Sequence, residues 1–193
     1  MKSIGTFNRE LHDAIESKFC GRKWVPGYGR SCASLVLVGE APGAHEEEQG
    51  RPFVGAAGKY LTDFLNYADI SRDDLYITNV VKIRPFKLSP KTNKPVNRPP
   101  NSAELVFFTP FLKQELQIKS PRLVVSLGNV PLKALLPEKG VSIGKNHGRL
   151  IQGAEFLLFP LYHPAAVIYN ASLKDVYIKD LEILKEVIKK YNF

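Results

Sequence analysis

The residues able to do chemistry follow four short apolar runs. The first run, Ser34 to Gly39, leads into Glu40-Ala41-Pro42-Gly43, with Glu46 and Phe53 a little further on. The second, Leu75 to Val81, reaches its end at Asn79, the third closes in Gly128-Asn129, and the fourth, Phe156 to Pro160, leads into Leu161-Tyr162-His163-Pro164. In open parallel α/β sheets the ligand lies beyond the carboxyl ends of the strands, so one edge would gather carboxylates, an amide, an imidazole and an aromatic ring. That set suits a planar, polar heterocycle. Stacking on Phe53, amide hydrogen bonding from Asn79 and a polar tip from His163 would recognise a base. Each residue also has a plainer reading: Asn79 could satisfy backbone groups at a strand end, Phe53 could be core, and His163 before proline could cap a turn. Their joint placement favours the ligand. No Gly-Lys-Ser/Thr follows any run, there is no Gly-x-Ser-x-Gly elbow, and His12, His45, His147 and His163 lack zinc-ligand spacing, so no metal site is expected.

The four runs are short, rich in β-branched residues and stopped by turn residues, as fully buried strands are. Helical patterns separate them. Leu61, Phe64, Leu65 and Ala68 share a face between the first two runs, and Leu105, Phe108, Leu112 and Leu116 do so before the third. Asn101 and Glu104 are spaced as a capping pair. Ile4 to Lys18 could hold one helix, Trp24 to Gly29 reads as a loop, and Tyr177, Leu181, Leu184, Ile188 and Tyr191 step along a C-terminal helix. Alternating strands and helices imply a three-layer α/β/α fold with a central four-stranded parallel sheet. At 193 residues the chain reads as one domain, 1–193.

Composition is ordinary and globular, with 44% hydrophobic and 24% charged residues, which excludes general disorder. Lys and Arg number 27 against 19 Asp and Glu, a net charge of +8, which fits a polyanionic partner. Two cysteines, Cys20 and Cys32, cannot build a disulfide framework, so a reducing, intracellular setting is expected. No leader pattern and no run of 18 apolar residues occurs, so neither secretion nor membrane spanning is expected. One segment stands apart: Lys82 to Pro100 carries six basic residues (Lys82, Arg84, Lys87, Lys91, Lys94, Arg98), five prolines and no acid. It reads as an exposed basic loop, either merely solvated or in contact with phosphates.

The stretches Gly39 to Gly43, Gly50 to Gly58, Ile77 to Lys82 and Tyr162 to Ala166 together resemble the family 4 uracil-DNA glycosylases in order and spacing, over about Val25 to Ala166. The resemblance implies hydrolysis of the bond between uracil and deoxyribose, leaving an abasic site in single- or double-stranded DNA. It implies that Phe53 stacks on the flipped uracil, that Asn79 reads its N3–H and O4 edge, and that the Ala41 amide and His163 face O2. Glu40 and Glu46 would shape the pocket and touch either the attacking water or the C5 edge. A donor near O2 would stabilise the departing anion. A monomer acting with the DNA is expected.

Three departures accompany the resemblance. The family holds an iron–sulfur cluster on four cysteines, whereas here residues near Ile83 and Phe108 fill two of those positions and Cys20 and Cys32 do not match the first pair. Two thiolates cannot supply four ligands, so no cofactor is expected. The basic loop is long, but it lacks the reactive histidine of a related branch that bonds covalently to DNA; Asn97 stands near that place, and turnover without an adduct is expected. Val167 to Asn170 replaces a segment that often carries an arginine entering the duplex, so any wedge must be apolar or aromatic. A different deaminated base, hypoxanthine or xanthine, and a non-catalytic nucleic-acid-binding module are the alternatives.

Overall fold

In the computed structural model, residues 2–193 are described. The chain runs α1 (Ile4–Lys18), β1 (Tyr28–Gly29), β2 (Leu35–Gly39), α2 (Ala44–Gln49), α3 (Ala56–Tyr67), β3 (Tyr76–Asn79), β4 (Phe86–Leu88), β5 (Pro95–Asn97), α4 (Ser102–Lys119), β6 (Leu123–Leu127), α5 (Asn129–Leu135), α6 (Ile143–Asn146), β7 (Ile151–Gln152), β8 (Leu157–Leu161), α7 (Pro164–Tyr169) and α8 (Lys174–Tyr191). The main sheet has the order β1-β3-β2-β6-β8-β7. Its inner four strands are parallel, as expected from the four apolar runs. Two antiparallel two-residue strands flank them. One of these, Tyr28–Gly29, falls in the stretch read as a loop. Two residues carry no alternation signal, and such short edge strands leave little backbone to pair with another chain.

The inner strands are apolar throughout because both faces are covered. On one face Leu37, Ile77, Val125 and Phe159 pack under α3 and α8 through Leu61, Leu65, Leu181 and Leu184. On the other, Val36, Val38, Tyr76 and Val124 pack under α1 and α4 through Leu11, Ile15, Phe108 and Leu112. The expected capping pair starts α4: Asn101 Oδ1 accepts from Glu104 N and the Glu104 carboxylate accepts from Asn101 N, both at 2.8 Å. Register sets the site. Gly39 at the end of β2 is level with Asn79 at the end of β3, so the loops that follow open on one edge.

The basic segment departs from the expected loop. Its centre is a two-stranded hairpin, β4 paired with β5, and its start is core. Lys82, read as a phosphate contact, is fully buried, with its ammonium 2.5 Å from the Glu115 carboxylate of α4. A lysine is tolerated there because an opposite charge meets it, and that partner lies 33 residues away in sequence.

Candidate active site

Asn79 closes β3 and is 3% exposed, yet its Oδ1 accepts no hydrogen bond from any of the described residues. An unsatisfied buried carbonyl is costly unless a ligand or a water supplies the donor. The atom lies over Gly39, where an added Cβ would collide with it and stand 2.6 Å from the Phe53 ring. Only glycine leaves this floor open.

Phe53 forms the adjoining wall. Its φ is 54°, a left-handed backbone in a bulky residue, which costs on the order of 1–3 kcal/mol and persists only where the surroundings impose it. Arg72 imposes it, donating to the carbonyls of Phe53 (2.7 Å) and Pro52 (3.2 Å). No pattern in the sequence marks Arg72. Phe53 is also part of the core beneath it, so both readings of this residue hold.

His163 faces Phe53 with ring centroids 5.9 Å apart. It is the N-cap of α7, where Nδ1 accepts from Ala165 N at 3.1 Å. The capping role and the site role therefore coincide. Accepting that bond requires a lone pair on Nδ1, which places the ring proton on Nε2. Burial holds the imidazole pKa below its ordinary 6.5, so the ring is a neutral donor at neutral pH.

The two carboxylates differ. Glu46 Oε1 accepts from Val54 N (3.0 Å) and Gly55 N (2.7 Å), and Oε2 accepts from Gly43 N (3.1 Å). It ties the start of α2 to the loop carrying Phe53, so its lone pairs are largely committed to shaping the pocket. Glu40 has its pKa raised by burial, with no opposing charge or hydrogen bond contributing.

Glu40, Ala41, Glu46, Phe53, Asn79 and His163 all line one cleft of about 800 Å³. The residues that follow the apolar runs in sequence are thus the ones the fold assembles. Asn97, which stands near the place of the related branch's reactive histidine, joins them from β5, its Oδ1 accepting from Arg84 Nε at 2.7 Å. Tyr169, at the end of α7, also lines the cleft and is 89% exposed.

Of the remaining basic candidates, Arg84 is drawn to Glu47 at 3.3 Å. Arg98 binds both oxygens of Glu104, at 2.7 and 2.8 Å. Lys87, Lys91 and Lys94 stay exposed on the hairpin and enter no ion pair among the described residues.

The family model for the uracil DNA glycosylase superfamily matches residues 26–186. Among curated relatives, a type-4 uracil-DNA glycosylase of Saccharolobus solfataricus is 38% identical over 172 residues, covering 85% of this chain and 76% of the relative. Type-4 enzymes of Pyrobaculum aerophilum and Archaeoglobus fulgidus are 42% and 36% identical, covering 81% and 98% of this chain and 79% and 96% of the relatives.

The donor set does not fit a four-thiolate cluster. Cys20 and Cys32 are the chain's two cysteines, and both are free and exposed. Ile83 and Phe108 are fully buried. Phe108 stacks on Phe19 at 5.6 Å and meets Phe107 edge-on at 4.8 Å. Aromatic packing occupies this region.

Proposed function

The chain belongs to the uracil DNA glycosylase superfamily, and from that premise we propose how its own residues excise uracil from DNA. The reading rests on one observation, the partnerless Asn79 Oδ1. Uracil N3–H donates to that oxygen and Asn79 Nδ2 donates to O4, while Phe53 stacks on the ring. Cytosine presents a lone pair at N3 and an amino group at C4, so both contacts fail, at about 1–3 kcal/mol for each buried group left unpaired.

Cleavage leaves negative charge on uracil O2 and N1 and positive charge on the sugar. His163 supplies the Nε2–H for O2, fixed in advance by its capping bond to Ala165, so little reorganisation is needed as charge develops. Glu40, the pocket carboxylate without a competing partner among the described residues, orients the water or steadies the sugar cation. Glu46 holds the walls together.

The base must leave the stack to enter, at a cost of a few kcal/mol in a duplex. Tyr169 on the rim is suited to fill the vacated place. Lys87, Lys91 and Lys94 give salt-dependent backbone contact. Action as a monomer is part of the same proposal. No cluster takes part, and iron and sulfide analysis of anaerobically purified protein is expected to find neither.

The direct test is a labelled strand carrying one uracil, incubated with protein and chelator, then cleaved with alkali. Uracil strands are expected to be cut, thymine strands not, and no protein–DNA band is expected on a denaturing gel. Cutting at hypoxanthine alone would move the assignment to another lesion. No cutting at all would leave only a binding module.

A further inference from the structure

Behind Asn79, on the opposite face of the sheet, lies a buried polar network that the chemistry above does not use. Glu115 of α4 is its centre. Its Oε1 accepts from Tyr76 Oη at 2.8 Å, and its Oε2 accepts from Thr78 Oγ1 at 3.1 Å and from Lys82 Nζ at 2.5 Å. Lys82 also donates to Thr78 Oγ1. Lys82, Thr78 and Glu115 are all essentially inaccessible to solvent.

These anchors bracket the base-reading residue. Thr78 precedes Asn79 and Lys82 follows it by three, and both are tied to one carboxylate. The segment between them leaves the sheet but stays tied to the end of β2, with Val80 N donating to Gly39 O (2.9 Å) and Val81 N to Glu40 O (3.0 Å), and the Lys82 carbonyl accepts from Val25 N (2.7 Å). By contrast, the Asn79 side-chain oxygen has no partner on its own face among the described residues. Its direction is therefore inherited from the backbone that the network holds.

We propose that Lys82 and Glu115 are positioning residues for Asn79, fixing the backbone of residues 78–82 so that Oδ1 and Nδ2 meet the N3–H and O4 of uracil. The proposal rests on the base-reading role given to Asn79. Its consequence is that the pair acts on catalysis only through that side chain.

A double-mutant cycle tests it. The variant Lys82→Met/Glu115→Gln removes both charges while leaving a side-chain amide to meet Tyr76 and Thr78. Single-turnover uracil excision is measured in this variant, in Asn79→Ala and in the combination, at a temperature where circular dichroism shows each one folded. With Asn79 present, loss of the pair is expected to slow excision on the order of tenfold to a hundredfold, the cost of a small misplacement. In the Asn79→Ala background the same change is expected to cost less than about twofold, because the effect has no route left.

An equal loss in both backgrounds, or no loss with Asn79 present, overturns the proposal. If Asn79→Ala itself leaves excision unchanged, the base-reading role falls and this proposal falls with it. Should Lys82→Met/Glu115→Gln not fold, Thr78→Val, which cuts one anchor and keeps the charged pair, carries the same cycle: a loss confined to the Asn79 background supports the proposal, and an equal loss or none overturns it.

Discussion

The two faces of β3 treat polar groups in opposite ways. On the Thr78 face, the Glu115 carboxylate accepts from Tyr76, Thr78 and Lys82. On the Asn79 face, one residue along, a side-chain carbonyl oxygen is buried and unpaired beside a strained aromatic residue. A saturated network rigidifies; an unsatisfied one waits for a partner. The contrast separates groups that hold the fold from groups that hold a ligand, although both are buried and adjacent in sequence.

The contrast is broken most severely from the waiting face. Asn79→Ala and His163→Ala are each expected to slow uracil excision by on the order of 10²–10³, His163→Ala through loss of a transition-state donor and Asn79→Ala through loss of both contacts to the base edge, with circular dichroism unchanged. Wild-type rates in both variants would end the assignment.

The two carboxylates sharpen the contrast next. Glu40→Gln is expected to lower kcat on the order of tenfold or more with KM little changed, as for a group acting on the reacting centre. Glu46→Ala instead strips the partner from three backbone N–H groups and is expected to destabilise the protein by about 1–3 kcal/mol, read as a lower urea midpoint. The reverse pattern would exchange their roles.

A smaller effect follows from His163. Its imidazole is held below 6.5 by burial, so on acidification the unfolded chain takes up a proton before the folded one does. Stability is then complete above pH 6.5 and declines as pH falls from there through the lower folded value. Denaturant midpoints of wild type and His163→Ala, compared across that window, are expected to show the decline only in wild type.

The smallest effect concerns the hairpin. Replacing Lys87, Lys91 and Lys94 by Ala is expected to reduce the salt slope of single-strand binding by about 0.7 for each phosphate no longer neutralised. Arg84→Ala and Arg98→Ala, whose charges already meet Glu47 and Glu104, are expected to change it less.

Much of the site was legible because strand ends in a parallel sheet converge wherever the helices cover both faces. Glu40, Asn79 and His163 each lie at or just past the end of an apolar run, so recognising the strands located the residues. Lys82 was not legible. It sits at the head of a cationic stretch, and only Glu115, on a helix beyond the hairpin, makes it a core residue. Arg72 was equally hidden, since its role is to bind two backbone carbonyls and no side-chain pattern records that. The hairpin escaped notice because its strands have three residues each and include a proline. In the sequence the role of Glu46 stays open between chemistry and shape, and the three amides that favour shape come from two separate loops.

The most direct measurement uses a DNA strand in which uracil is replaced by N3-methyluracil. The methyl group removes the one proton that Asn79 Oδ1 is placed to accept and adds bulk where that oxygen must approach, while O2 and O4 keep their positions. Release of free base is expected from the uracil strand and not from the methylated strand under the same conditions. Release of both bases at comparable rates would contradict the role given to the unpaired oxygen, and with it the way this pocket is held to read its base.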